Sequence, residues 1–239
     1  MLELNQFRQS AFCLKVRMVL AAKKLNYRVI EITPGIGQVA IFRLSGQRQL
    51  PVLVDGENVI TDSSSIIRYL EQIKPEPKLL PNDPRDAAMM HILEDWADTT
   101  FANSAKTTLI KSAATDPDLR DALLPDDLPL QFRKLINGVH FGLITDFSEL
   151  LSKGDSANLF SSLKKLTACL RSNRWLVGNT MTFADIAIAA QLSLLRFPES
   201  AGSKLAGKGC PGFSDHPNLT PLFDWRDQLE TDLLASDPL

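Results

Sequence analysis

The sequence predicts an α/β region followed by an all-α region, an α/β + all-α class. Three observations carry this. Strand and helix patterns alternate through the first eighty residues, four prolines crowd Lys74–Pro84, and everything beyond has helical periodicity. The expected division is one domain at 1–76, a linker at 77–84 and a helical domain at 85–239.

Leu2–Gln6 reads as a short strand. Ala11–Lys24 places Phe12, Val16, Val19 and Leu20 on one helix face, and Asn26 is the expected stop. Tyr27–Ile32 alternates as a strand does. Gly35 and Gly37 mark a loop before a short helix over Val39–Leu44. Two apolar runs, Pro51–Val54 and Asn58–Ile60, flank Asp55-Gly56-Glu57 as a hairpin. Thr61 or Asp62 then caps a helix through Ile66, Ile67, Leu70 and Ile73. The order is β-α-β-α-β-β-α, whose first strands pair in parallel through a right-handed crossover. Pro75, Pro77, Pro81 and Pro84 exclude helix from the link. Helices are expected at 85–111, 128–152, 157–172, 183–196 and 218–233, with loops at 112–127 and 197–217.

The bulk properties exclude several classes. A net charge of −2 gives no electrostatic reason to bind nucleic acid or an anionic membrane surface. No apolar run approaches a membrane span, and the N-terminus has no secretory pattern. Cys13, Cys169 and Cys210 are odd in number and widely spaced, so a reducing cytoplasm is expected rather than a disulfide framework. His91, His140 and His216 are scattered, and no metal site is expected. Gly35-Ile36-Gly37 lacks the third glycine of a nucleotide loop and reads as a turn.

Four short segments can carry chemistry. Ser10 before Ala11 is a helix cap, and the same geometry suits a thiolate: unpaired N–H groups, a partial positive charge and one hydroxyl. Ser10-Ala11-Phe12-Cys13 has the spacing of a redox C-x-x-C with its first cysteine replaced; Cys13 is a redox candidate or a small buried hydrophobe. The general preference of X-Pro bonds makes Leu50-Pro51 trans. Asp62-Ser63 either caps a helix or grips an amino-acid end, Ser63 taking a carboxylate and Asp62 an ammonium. Thr182-Phe183-Ala184-Asp185 reads as a capping box with a structural role.

Together these segments resemble the cytosolic glutathione transferases over nearly the whole chain. Arg48–Gly56 resembles the family's stretch around its cis-proline, Thr61–Ile66 its acidic-Ser motif, and Leu176–Asp185 its capping-box segment in the helical half. The resemblance implies a thioredoxin-like N-terminal domain, an all-helical C-terminal domain and glutathione as co-substrate, with no metal. It places Ser10 beside the glutathione sulfur, Leu50 with Pro51 on the cysteinyl backbone, Asp62 and Ser63 on the γ-glutamate, and Gln49 near the glycyl carboxylate. It also implies a homodimer. The second, electrophilic and mostly apolar substrate is expected between the domains, with Met90, Trp96 and Phe101 lining its pocket. Ser45-Gly46 departs from the family's common Asn-Pro pair. Phe12–Arg17 and Asp62–Ile67 are also similar to the glutaredoxin-like domain of prostaglandin E synthase type two, whose first cysteine this chain lacks.

The expected function is therefore transfer of glutathione thiolate to an electrophile. The alternatives are a glutathione-dependent thiol-disulfide oxidoreductase using Cys13, an isomerase, and a non-catalytic glutathione- or partner-binding module.

Overall fold

The computed structural model describes residues 1–33, 37–124 and 142–235, with side chains described for all of these except 142–155. The first strand, β1 (Leu2–Gln6), alternates Leu2 and Leu4 into the core and leads into α1 (Ala11–Ala22). Then follow β2 (Tyr27–Glu31), α2 (Gln38–Ser45), β3 (Val52–Asp55), β4 (Asn58–Thr61) and α3 (Ser63–Ile73). The sheet order is β2-β1-β3-β4, with β1 parallel to β2 and antiparallel to β3, and β3 antiparallel to β4. Helix α1 packs against α3.

The N-terminal elements follow the sequence pattern closely. The β3–β4 hairpin pairs Asp55 with Asn58 across a two-residue turn, where Gly56 takes φ +60, a conformation costly to any residue with a Cβ. Helix α1 ends earlier than Asn26. Lys23 is its C-cap, and Lys24 turns the chain with φ 50. The Gly35-Ile36 part of the expected turn lies outside the described residues; Gly37 precedes α2.

Beyond the proline-rich link come α4 (Pro84–Trp96), a π turn at Ala97–Phe101, α5 (Ala102–Thr115), α6 (Pro117–Leu123), α7 (Gly142–Leu170), α8 (Phe183–Leu192), a 3-10 turn at Glu199–Ala201 and α9 (Thr220–Leu234). Three expectations need correction. The helix expected at 85–111 carries a π turn in its middle. The loop expected at 112–127 contains α6: Asp116 accepts hydrogen bonds from the N–H groups of Asp118 and Leu119, and Pro117 fills the first helical position, where a missing N–H costs nothing. The break expected between 152 and 157 is absent, because α7 runs through Gly154 without interruption. The stretch 128–141 of the helix expected at 128–152 lies outside the described residues.

The chain forms two compact units. The first holds Met1–Asp95, Trp175–Ala190 and the chain from Gln228 on; the second holds Trp96–Arg174 and Gln191–Asp227. Within the first, Asp185 occupies the capping-box position. Its carboxylate accepts from the N–H groups of Leu176 and Thr182, both at 2.8 Å, and from the Thr182 hydroxyl at 2.9 Å. Burial pushes this carboxyl up to about 6 against the pull of those hydrogen bonds. Within the second unit, Leu119, Ala122, Phe197 and Leu205 form a core cluster, and α5 packs against α6 and α7. No described helix is long and apolar enough to cross a membrane.

Candidate functional site

Sheet register gathers the first unit's candidate residues. Asn5 of β1 pairs with Val52 of β3, which pairs with Thr61 of β4. The last residue of β1, Gln6, pairs with Glu31, the last of β2. One end of the sheet therefore carries the loop to Ser10, the Leu50-Pro51 entry to β3, the Asp62-Ser63 exit from β4 and the end of β2. Their separation in sequence is large, yet the antiparallel pairings leave no other arrangement.

Ser10 is the N-cap of α1, with extended backbone at φ −77 and ψ 122. Its Oγ accepts from the Cys13 N–H at 3.4 Å. The N–H groups of Ala11 and Phe12 meet no acceptor among the described residues. The helix mouth thus offers two free amides and a hydroxyl, next to the positive end of the helix dipole. Glu31 fixes the approach: its carboxylate accepts from the Arg8 N–H at 2.6 Å and from the Gln6 amide at 3.0 Å. The sequence pattern gave no sign of this clamp, since Glu31 reads as an ordinary polar strand end.

Cys13 has no exposed surface, and its Sγ accepts from the Phe7 N–H at 3.5 Å. Burial pushes its thiol up to about 11, outweighing hydrogen bonds from the Phe7 amide and the Ser10 hydroxyl and the charge of Arg17. At neutral pH it is a protonated core side chain.

The Leu50-Pro51 peptide is cis, whereas the general preference of such bonds predicts trans. The half-buried Leu50 side chain packs on a cluster of Ile32, Ile41 and Val52. Its backbone N–H and C=O meet no partner among the described residues. Gln49 beside it is exposed.

Asp62 is the N-cap of α3, its Oδ1 accepting from the Ser65 N–H at 2.9 Å. It sits at φ 69 and ψ 126, which costs a non-glycine residue about 1–3 kcal/mol. Such an outlier marks a place where the surrounding structure over-determines the backbone. Here it turns β4 sharply into α3 and leaves the Ser63 N–H without an acceptor among the described residues. Ser63 itself is buried.

Sequence reasoning also missed a buried charged group. Lys15, one turn into α1, has a fully buried ammonium 2.9 Å from Glu94 of α4. The same ammonium donates to Ser64 Oγ at 2.9 Å, and Ser64 donates to Glu94 at 2.8 Å. Burial pushes the Glu94 carboxyl up, but the Lys15 charge and the two hydrogen bonds outweigh it and hold it below the usual carboxylate range. The one signal available was a pair of basic residues, Lys15 and Arg17, inside a mostly apolar helix.

The residues expected to line a second-substrate pocket are placed differently from one another. Met90 and Phe101 have no exposed surface, whereas Trp96 is half-buried, its ring 5.0 Å from that of Phe101. Among the described residues no three His, Cys, Asp or Glu side chains cluster as metal ligands. His91 is exposed near Glu94, His216 stacks edge-on to Phe160, and His140 lies outside the described residues.

Comparison with known proteins agrees with this layout. The glutathione S-transferase N-terminal domain matches residues 4–78, and the glutathione S-transferase C-terminal domain matches 147–226. FtsZ-localized protein A of Caulobacter vibrioides is 25% identical over 187 residues, covering 77% of this chain and 72% of that protein. Glutathione S-transferase Z2 of Arabidopsis thaliana is 27% identical over 195 residues, covering 80% and 75%. Maleylacetoacetate isomerase of Rattus norvegicus is 22% identical over 195 residues, covering 80% and 76%. Among solved structures, a glutathione S-transferase from Rhodospirillum rubrum aligns with a TM-score of 0.67 and 26% identity, over 100% of this chain and 89% of that one. With both family domains matched in order, on a thioredoxin-like four-stranded unit and a helical remainder, the chain belongs to the cytosolic glutathione transferase superfamily.

Proposed function

We propose that the protein is a glutathione transferase that ionises bound glutathione at the mouth of α1 and joins its sulfur to an electrophilic, mostly apolar small molecule. The observation that carries this is the convergence at one sheet end of three unfilled binding groups: the α1 mouth, the Leu50 backbone and the α3 mouth. Each suits a different part of the tripeptide. The free amides of Ala11 and Phe12 face the sulfur, with the Ser10 hydroxyl turning from Cys13 to donate to it. The Leu50 N–H and C=O pair with the cysteinyl backbone, as an added strand would. Ser63 takes the γ-glutamyl carboxylate, Asp62 the ammonium, and Gln49 the glycyl end.

The chemistry follows from charge placement. Stabilising the thiolate without neutralising it keeps it nucleophilic at neutral pH. The thiolate attacks the electrophile; its sulfur–carbon bond forms as the leaving group departs, or as a conjugated double bond takes up the electron pair and then a proton. Cys13 has no part in this reaction, because its thiol is buried and held protonated. The homodimer, the cytoplasmic setting, Trp96 as a second-substrate contact and the division at 77–84 belong to the same reading.

The test is turnover of chlorodinitrobenzene with glutathione. Ser10→Ala is expected to lower kcat/KM about tenfold to a hundredfold, since one donor to a diffuse thiolate supplies less than a donor to an oxyanion. Unchanged turnover removes Ser10 from the mechanism.

The similarity to zeta-class transferases and to maleylacetoacetate isomerase supports a second reading of the same site. Thiolate addition to a conjugated double bond leaves a carbanion stabilised by the neighbouring carbonyl. Rotation about the new single bond and expulsion of the thiolate return glutathione unchanged with the other geometric isomer. Isomer conversion without glutathione consumption selects this reading over conjugation.

A further inference from the structure

We infer that Lys15, Ser64 and Glu94 form a positioning unit that sets the first turn of α3 against the first turn of α1, and so sets the spacing between the two ends of the glutathione site. The inference rests on the proposed glutathione site and deepens it.

The geometry is a closed ring. Lys15 Nζ lies 2.9 Å from Glu94 Oε1 and 2.9 Å from Ser64 Oγ, and Ser64 Oγ donates to that same Glu94 oxygen at 2.8 Å. The two charged side chains are 0% and 4% exposed, so water does not compete for them. Each member comes from a different helix near the candidate site. Lys15 is five residues after Ser10, Ser64 directly follows Ser63, and Glu94 reaches in from α4. The ring therefore ties the helix that presents amides to the sulfur to the helix that presents a hydroxyl and an N–H to the γ-glutamyl carboxylate.

A buried ion pair is a weak source of stability, because desolvation offsets most of its attraction. Its directional hydrogen bonds are what an apolar trio could not supply. Apolar side chains would fill the space but would let α3 slide or turn against α1. Opposite charges inside the ring cancel, so it acts on the site through position rather than through its field. A ligand held at both ends is sensitive to that position. Loosening one end weakens ground-state binding and leaves the sulfur's own surroundings unaltered.

The test uses the full-length protein. Ser64→Ala removes the link to α3 and keeps the Lys15–Glu94 pair; Ser64→Thr keeps the hydroxyl. Ser64→Ala is expected to raise KM for glutathione about three- to tenfold with kcat within about twofold, and Ser64→Thr to restore KM. In ligand-free protein, amide exchange at Ser65 and Ile66 is expected to quicken in Ser64→Ala and not in Ser64→Thr. A paired Lys15→Met/Glu94→Met variant, which strands no charge, is expected to reproduce the KM rise. A wild-type KM in Ser64→Ala, a fall in kcat without a KM change, or failure of Ser64→Thr to restore KM overturns the inference. If the wild-type protein neither binds nor turns over glutathione, the functional reading fails on that result alone. Exchange at Ser65 and Ile66 then still decides the ring: quickening upholds its hold on α3, and no change overturns it.

Discussion

Replacing Lys23 with Met tests what fastens the proline-rich link to the α/β unit. Lys23 ends α1, and its ammonium has no exposed surface. It forms an ion pair with Glu71 Oε2 at 2.6 Å and donates to the Pro77 carbonyl at 2.9 Å and the Pro75 carbonyl at 3.5 Å. Glu71 in turn accepts from the Leu79 N–H at 3.1 Å. The link is thus fastened by this cation together with Leu79, whose side chain is buried and whose carbonyl accepts from the Phe183 N–H at 3.2 Å. Removing one member of a buried pair costs about 3–5 kcal/mol. Glu71 keeps 14% of its side chain in water and keeps the Leu79 N–H, so the low end applies, about 3 kcal/mol. The two proline carbonyls belong to exposed residues and take water instead. In Lys23→Met/Glu71→Gln no charge is stranded and the amide still accepts from Leu79, so the double variant is expected to lose only about 1 kcal/mol. Urea unfolding followed by circular dichroism gives both numbers, and limited proteolysis reports cleavage within 74–83. A single-variant loss under about 1 kcal/mol, with the link still resistant, refutes the reasoning.

Two further predictions concern titrating groups. Asp185 has a folded pKa of about 6 against an ordinary value of 3.8, so between those values the folded state holds a proton that the unfolded state has lost. Its contribution is greatest below pH 4 and is lost as pH rises through 6, about 3 kcal/mol in all; Asp185→Asn is expected to flatten the stability–pH slope in that window, and an unchanged slope rejects the assignment. With its thiol near 11 and no exposed surface, Cys13 is expected to stay unlabelled by iodoacetamide at neutral pH while the half-buried Cys169 is modified, as mass spectrometry reads; labelling of Cys13 in the native protein contradicts this.

The local parts of the fold were legible because local chemistry decides them. Ser10 and Asp62 announce their helices by side-chain capping, and Asp55-Gly56 announces its hairpin by backbone freedom. The start of α6 is marked in the sequence by Asp116-Pro117, but acidic composition and proline are loop signals as well. Between 152 and 157 the reverse holds: no break occurs, and α7 continues through Gly154 despite its poor helix propensity. The site was half legible. Ser10, Leu50, Asp62 and Ser63 stand at element starts, where sequence carries signals. Lys15, Glu94 and Glu31 act through partners 79 and 23 positions away, and no spacing rule reaches that far.

Titrating the sulfur of glutathione in the complex, by its thiolate ultraviolet absorbance, tests the mechanism at its root. A free thiol of this kind loses its proton near pH ~8.5, and at the α1 mouth the value is expected to fall by about two units, with Ser10→Ala giving back about one. A bound thiol that titrates where the free one does, in both proteins, contradicts the account.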